Sequence, residues 1–94
     1  MRIHVRLSGP LRVVVGSGEV ELSLTGDAVT LAQALDALAT RFPQARRYLR
    51  DAGGGLPQGI RALAGDERLD ERVALAKSLR DGDQLTLLMP TAGG

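Results

Sequence analysis

Apolar and polar residues alternate at both ends of this chain, and between those ends apolar residues recur at helical spacing. Ile3, Val5 and Leu7 are interleaved with Arg2, His4, Arg6 and Ser8, and Val20, Leu22 and Leu24 with Glu21, Ser23 and Thr25. Successive side chains of a strand point to opposite faces, so each run predicts a strand with one face buried. Gln84 to Met89 predicts a last strand, closed by Pro90. In the middle, Leu31, Leu35, Leu38 and Phe42 share one helical face, with Ala34 and Ala39 beside it. Thr30 is the expected N-cap, Gln33 completes a capping box, and Pro43 stops the helix at or just before Phe42.

The remaining segments carry weaker signals. Ile3–Leu7 and Val20–Leu24 are read as a hairpin pair, with Leu11 to Val15 either extending an arm or forming part of the connection. Gln44 to Asp51 suits a short second helical turn. Ala52-Gly53-Gly54-Gly55-Leu56-Pro57 reads as the most flexible stretch, a loop. Ile60, Ala62 and Leu63 form a weak strand, and Gly65-Asp66-Glu67 a turn. Leu69, Val73, Leu75 and Leu79 fit no single period. Arg80-Asp81-Gly82-Asp83 is a tight turn, with glycine where a positive φ is needed. The order is strand, strand, helix, weak strands, strand. It predicts an α+β fold with one main helix packed on one face of a mixed sheet, the first and last strands side by side. That is the β-grasp, or ubiquitin-like, layout.

Size and charge limit what such a chain does. Its 94 residues fit one domain. With one Tyr, one Phe and no Trp, the core must be aliphatic. A net charge of +1 lacks the basic excess of nucleic-acid-binding modules, so no nucleic-acid partner is expected. There is no cysteine, which removes disulfides, thiolate metal sites and a cysteine nucleophile. The start of the chain alternates at once, so no signal peptide is expected. No apolar run reaches the ~18 residues of a membrane span. The cytoplasm is the expected compartment, and no metal or cofactor is expected.

Several residues could suggest chemistry. Gly53-Gly54-Gly55 lacks the Gly-Lys-Ser/Thr that a phosphate cradle needs, and reads as a plain loop. His4, the one histidine, falls on the outward phase of a strand with no identifiable orienting partner, so it reads as solvated. Arg41, Arg46, Arg47 and Arg50 read as a solvated basic face, with docking onto an acidic partner as the alternative. Asp66, Glu67, Asp70 and Glu71 read as surface charge around a turn rather than a metal site.

The last sixteen residues, Leu79-Arg80-Asp81-Gly82-Asp83-Gln84-Leu85-Thr86-Leu87-Leu88-Met89-Pro90-Thr91-Ala92-Gly93-Gly94, resemble the prokaryotic ubiquitin-like sulfur carriers. These include the molybdopterin synthase small subunit, the thiamine-pathway sulfur carrier, and carriers serving cysteine or 2-thiosugar synthesis. The shared pattern is a leucine-rich approach, Asp-Gly-Asp, an apolar strand, a proline-containing exit and terminal Gly-Gly. Many molybdopterin-type carriers exit through Pro-Pro-Val, where this chain has Met89-Pro90-Thr91, so the receiving pathway stays open.

The resemblance implies a β-grasp domain over residues 1–90 and a flexible working tail over 91–94. It implies that the chain is a sulfur carrier and a substrate of its partners rather than an enzyme, and a monomer when free. An ATP-dependent E1-like adenylating enzyme would activate the Gly94 carboxylate. Sulfur transfer would give a thiocarboxylate, which a sulfur-accepting synthase or sulfhydrylase would use. Thr91, Ala92 and Gly93 would enter the partner's active site, and Leu88 and Pro90 would dock at its mouth. Two alternatives share the activated terminus: a ubiquitin-like modifier joined through Gly94 to lysines, and a resident small subunit of molybdopterin synthase. The residues suit such a tail. Gly93 and Gly94 have no Cβ to hinder passage through a narrow channel. Six residues from Met89 to Gly94 can extend ~20 Å. If Leu85 and Leu87 enter the core, Thr86 and Leu88 face away from it.

Overall fold

The computed structural model describes residues 1–89. Its first strand, β1 (Arg2–Leu7), turns Ile3, Val5 and Leu7 inward and Arg2, His4 and Arg6 outward. The second, β2 (Glu19–Ser23), pairs with it antiparallel, placing Val20 opposite Val5 and Leu22 opposite Ile3. Both expected arms of the hairpin are therefore present, in the phase that the alternation demands.

The connection between them is helical. Pro10 to Val15 forms α1, although Val13, Val14 and Val15 are β-branched. Pro10 has no backbone N–H to leave unsatisfied at the first helical position. Gly16 closes the helix in the left-handed region at φ 87, its N–H donating to Arg12 O. Only Leu11 of this helix is fully buried, and Val13 is 80% exposed. The capping geometry at the two ends outweighs the local strand preference.

The main helix, α2 (Leu31–Arg41), starts as expected. The Thr30 hydroxyl accepts from Gln33 N at 3.2 Å, and the Gln33 side chain accepts from Thr30 N at 2.8 Å. Leu31, Ala34, Leu35, Leu38 and Ala39 are buried in the core it shares with the sheet. Phe42 caps its C-terminus, a 3₁₀ turn follows at Pro43–Ala45, and α3 (Arg46–Leu49) completes the second helical piece.

The expected weak strand is β4 (Arg61–Ala64), joined by a short hairpin to β5 (Glu67–Arg68). A 3₁₀ turn follows at Ala74–Ala76, and then β6 (Ser78–Arg80). A further strand, β3 (Ala28–Thr30), pairs antiparallel with β6, so buried Val29 faces buried Leu79. Leu31 N also donates to Lys77 O at 2.9 Å, which ties this two-stranded piece to the start of α2.

The last strand, β7 (Gln84–Leu88), enters the centre of the main sheet, whose order is β2-β1-β7-β4-β5. It lies parallel to β1 and antiparallel to β4. The chain's first and last strands are thus neighbours, and the expected α+β β-grasp architecture is the one observed. No charged or polar residue is buried among the described residues.

The capping box offers a direct check. Thr30→Ala removes the acceptor for Gln33 N and should cost about 1 kcal/mol. A thermal melt should show a midpoint lowered by about 4–8 °C.

Candidate functional site

The chemistry expected of this chain lies at its C-terminal end, so the site is built outward from β7. Leu85 and Leu87 are buried, at 1% and 0% exposure, while Leu88 is 37% exposed. The neighbouring strands set its surroundings. Arg61 lies opposite Leu88 on β4, and Thr86 lies between Arg6 on β1 and Leu63 on β4. Leu88 is therefore an apolar side chain on the open face of the sheet, among arginines, one residue before the last described position. The phase read from the sequence is the phase observed.

Beside Leu88 the open face dips into a depression of about 560 Å³, bordered by Arg6, Ser8, Arg12, Glu19 and Thr86. It is an open surface and not an enclosed cleft. Arg6 and His4 both approach the Glu19 carboxylate, at 3.6 and 3.7 Å, and Arg2 approaches Glu21 at 3.6 Å. All of these side chains are substantially solvated, so each pair contributes about 0–1 kcal/mol. His4 has a carboxylate neighbour that its sequence position did not reveal, and the pair lies on an open strand face.

The last strand is secured where it ends. Ser8 N donates to Leu87 O at 3.2 Å. Next to it, Gly9 lies against the backbone of Met89. A Cβ built on Gly9 would overlap the Met89 carbonyl oxygen and lie 3.0 Å from the carbonyl carbon. This contact has no local sequence signal, because it depends on a residue 80 positions away.

The expected site residues Pro90, Thr91, Ala92, Gly93 and Gly94, and the tail they form, lie outside the described residues. Leu88 is the one expected site residue whose surroundings can be described.

The other candidates have structural roles. Asp51 Oδ1 accepts from Gly53 N and Gly55 N, both at 2.9 Å, so the glycine loop is organised around a carboxylate. Two amides that could have held a phosphate are thereby occupied, and the segment is a loop, as expected. Arg50 is also not part of a solvated basic face. Its side chain is 26% exposed, with Nε donating to Gly54 O at 2.7 Å and Nη1 to Asp36 Oδ1 at 3.2 Å. It joins α2 to the loop. Arg41 donates to Glu21 O and stacks on Phe42, and Arg47 stacks on Tyr48. Glu67 meets Lys77 at 3.3 Å, and Asp70 accepts from Arg72 N. Among the described residues no cluster of three or more His, Asp or Glu could hold a metal ion, and no helix is long and apolar enough to cross a membrane.

Comparison with known proteins agrees with this geometry. The model of the ThiS family matches residues 5–94. Small archaeal modifier protein 1 of Haloferax volcanii is 35% identical over 89 residues, covering 95% of this chain and 97% of that protein. The crystal structure of that protein superposes with a TM-score of 0.85 at 30% identity, covering all of both chains. A chain in the crystal structure of the Amycolatopsis orientalis BexX/CysO complex superposes with a TM-score of 0.74 at 28% identity, covering 98% of this chain and 99% of that one.

The two leucines at the end of β7 should respond in opposite ways to the same change. Leu87→Asp places an unpaired charge in an aliphatic core and should abolish cooperative unfolding. Leu88→Asp should leave the melting temperature nearly unchanged. Circular dichroism melts of both variants make the comparison.

Proposed function

Because the chain belongs to the ThiS family of ubiquitin-like sulfur carriers, we propose that its working group is the Gly94 carboxylate, carried on residues 91–94 and presented to partner enzymes by the folded body. The observation that carries this reading is the placement of Leu88. It sits exposed on the open sheet face, at the last residue of β7. A partner that covers Leu88 holds the body where residues 90–94 can enter its own site.

The chemistry follows from the terminus. A carboxylate resists nucleophiles because its charge is shared over two oxygens. Attack of the Gly94 carboxylate on the α-phosphorus of ATP forms the acyl-adenylate and breaks the α–β bond to release pyrophosphate, which removes that charge and installs AMP as a leaving group. Hydrosulfide attack on the carbonyl carbon forms a C–S bond, breaks the bond to the AMP oxygen, and leaves a thiocarboxylate. If the donor is a persulfide, a thiol must then open the S–S bond to release it. The activating partner is an ATP-dependent E1-like enzyme, and the acceptor a synthase or sulfhydrylase. The body supplies binding, and its partners supply the acid, the base and the nucleotide site. The cytoplasm, where ATP is abundant, is the natural compartment.

One observation favours a second reading. The relative at 35% identity is called a modifier protein, which supports joining of Gly94 to lysines of other proteins. Both readings use the same adenylate and differ in the nucleophile that opens it.

Incubation with the activating enzyme, ATP and a sulfur donor, followed by intact mass measurement, separates them. Replacement of one oxygen by sulfur marks the carrier, and covalent attachment to lysine marks the modifier. Deletion of Gly94 should leave thermal unfolding unchanged and abolish adenylation; a truncated chain still adenylated at the normal rate would sink the proposal. Leu88 is 37% exposed, so its burial by the partner should contribute about 0.5–1 kcal/mol. Leu88→Asp removes that contribution and puts a charge in the contact, so it should weaken binding to the activating enzyme by about threefold to tenfold, measured by titration calorimetry.

A further inference from the structure

Gly9 stands between the end of β1 and the start of α1, with φ 64 and ψ −144. That backbone region is essentially closed to L-residues other than glycine. Space is limited as well, because an added Cβ would overlap the Met89 carbonyl oxygen. Gly16 shows that the two constraints are separable. Its φ is 87, yet nothing lies within 4 Å of the Cβ it lacks.

Gly9 has little freedom to give way. On one side, Ser8 N is hydrogen-bonded to Leu87 O at 3.2 Å. On the other, Gly9 O accepts from Arg12 N at 3.1 Å and from Val13 N at 3.4 Å. The β1–α1 corner is thus fastened to the sheet in front and to the helix behind. An added methyl group must push on Met89.

We propose that Gly9 is a positioning residue: its missing side chain seats the Met89 carbonyl and fixes the point from which residues 90–94 continue. This rests on the carrier reading, since the value of a fixed departure point lies in delivering Gly94. A partner must meet two features at once, the Leu88 side chain and the reacting carboxylate. Leu88 and Met89 are adjacent, so the seat at Gly9 sets the geometry between them. A misplacement of about 1 Å can cost a reaction on the order of a hundredfold in rate.

The test uses four full-length chains: the natural sequence, Gly9→Ala, Gly9→D-Ala made by chemical ligation, and Gly16→Ala. A D-residue favours positive φ and directs its methyl group to the opposite side of Cα. Each chain is melted, its Leu88 and Met89 amide shifts are recorded by NMR, and kcat and KM for ATP-dependent activation are measured where it is folded. Gly9→Ala should move the Met89 amide and lower kcat/KM by about tenfold to hundredfold, mainly through kcat because Leu88 still docks. D-Alanine at the same position should restore both. Gly16→Ala should lower the melting temperature and leave activation of the folded chain unchanged.

The proposal is overturned if folded Gly9→Ala is activated normally. It is also overturned if the D-alanine chain is as slow as the L-alanine chain, or if Gly16→Ala is equally slow. Should Gly9→Ala fail to fold, a folded D-alanine chain that is activated about tenfold or more slower than the natural chain overturns the proposal, and one activated normally supports it. If the natural chain is not activated at all, the carrier reading has failed instead. The amide shifts then decide the seat alone, and an unmoved Met89 amide in Gly9→Ala or a displaced one in the D-alanine chain rejects it.

Discussion

The parallel pairing of β1 with β7 is the contact around which the rest of the molecule is assembled. It sets Val5 beside Leu85 and Leu7 beside Leu87, joining the two ends of the chain at the centre of the sheet. Parallel neighbours cannot be joined by a tight turn, so the chain between them must cross over. In this fold the crossover includes α2, which buries its leucines on the face that β1 and β7 present. The Asp81-Gly82-Asp83 turn fastens the start of the pair. Asp81 Oδ1 accepts from Arg2 N at 2.7 Å, Gly82 N donates to Arg2 O at 2.8 Å, and His4 N donates to Asp83 O at 3.0 Å. Asp83 Oδ2 also accepts from Arg80 N at 2.8 Å. A motif that marks the family in sequence therefore has a structural task. It connects the entry of the last strand to the first.

Much of this was legible because it is written in short-range patterns. Alternation in residues 2–8 and 84–89 gave both central strands and their inward faces, and Thr30 with Gln33 gave the start of α2. Gly82 adopts φ 84, as its place in the turn required. The misses share a cause: their signals lie far apart in sequence or are too brief to have a period. Ala28–Thr30 contains a single alternation and becomes a strand only because β6, some fifty residues later, pairs with it. Val13-Val14-Val15 has a strong local preference, but Pro10 and Gly16 shape the helix ends. Arg50 resembles its solvated neighbours until Gly54 O and Asp36 are placed next to it. At the candidate site, Leu88 was readable from strand phase. Gly9 was not, since its significance lies in a backbone carbonyl at the other end of the chain.

The packing leaves the charged groups of the described residues at or near the surface. The core is aliphatic, and no polar or charged side chain is buried among the described residues. Here the charged groups remain in solvent, paired across the sheet surface or used to cap turns. Arg50 is the partial exception, and its partners are a carbonyl and a carboxylate that hold a loop.

How a partner would hold the body follows from the open sheet face. Arg2 and Arg6 are matched by Glu21 and Glu19 on the adjacent strand, so much of their charge is answered within the sheet. Interactions between such exposed groups are screened over about 8–10 Å at ordinary ionic strength. They can orient an approaching partner, but they offer little energy once it has arrived. Leu88 has an apolar surface still in water, and burying it does yield energy. On the proposed reading, affinity on this face would fall mainly to this leucine, and orientation to the charges around it. That division would place the anchor at the end of β7. It would also make the local backbone at Leu88 and Met89, rather than the remainder of the surface, the part whose geometry a partner must match most closely.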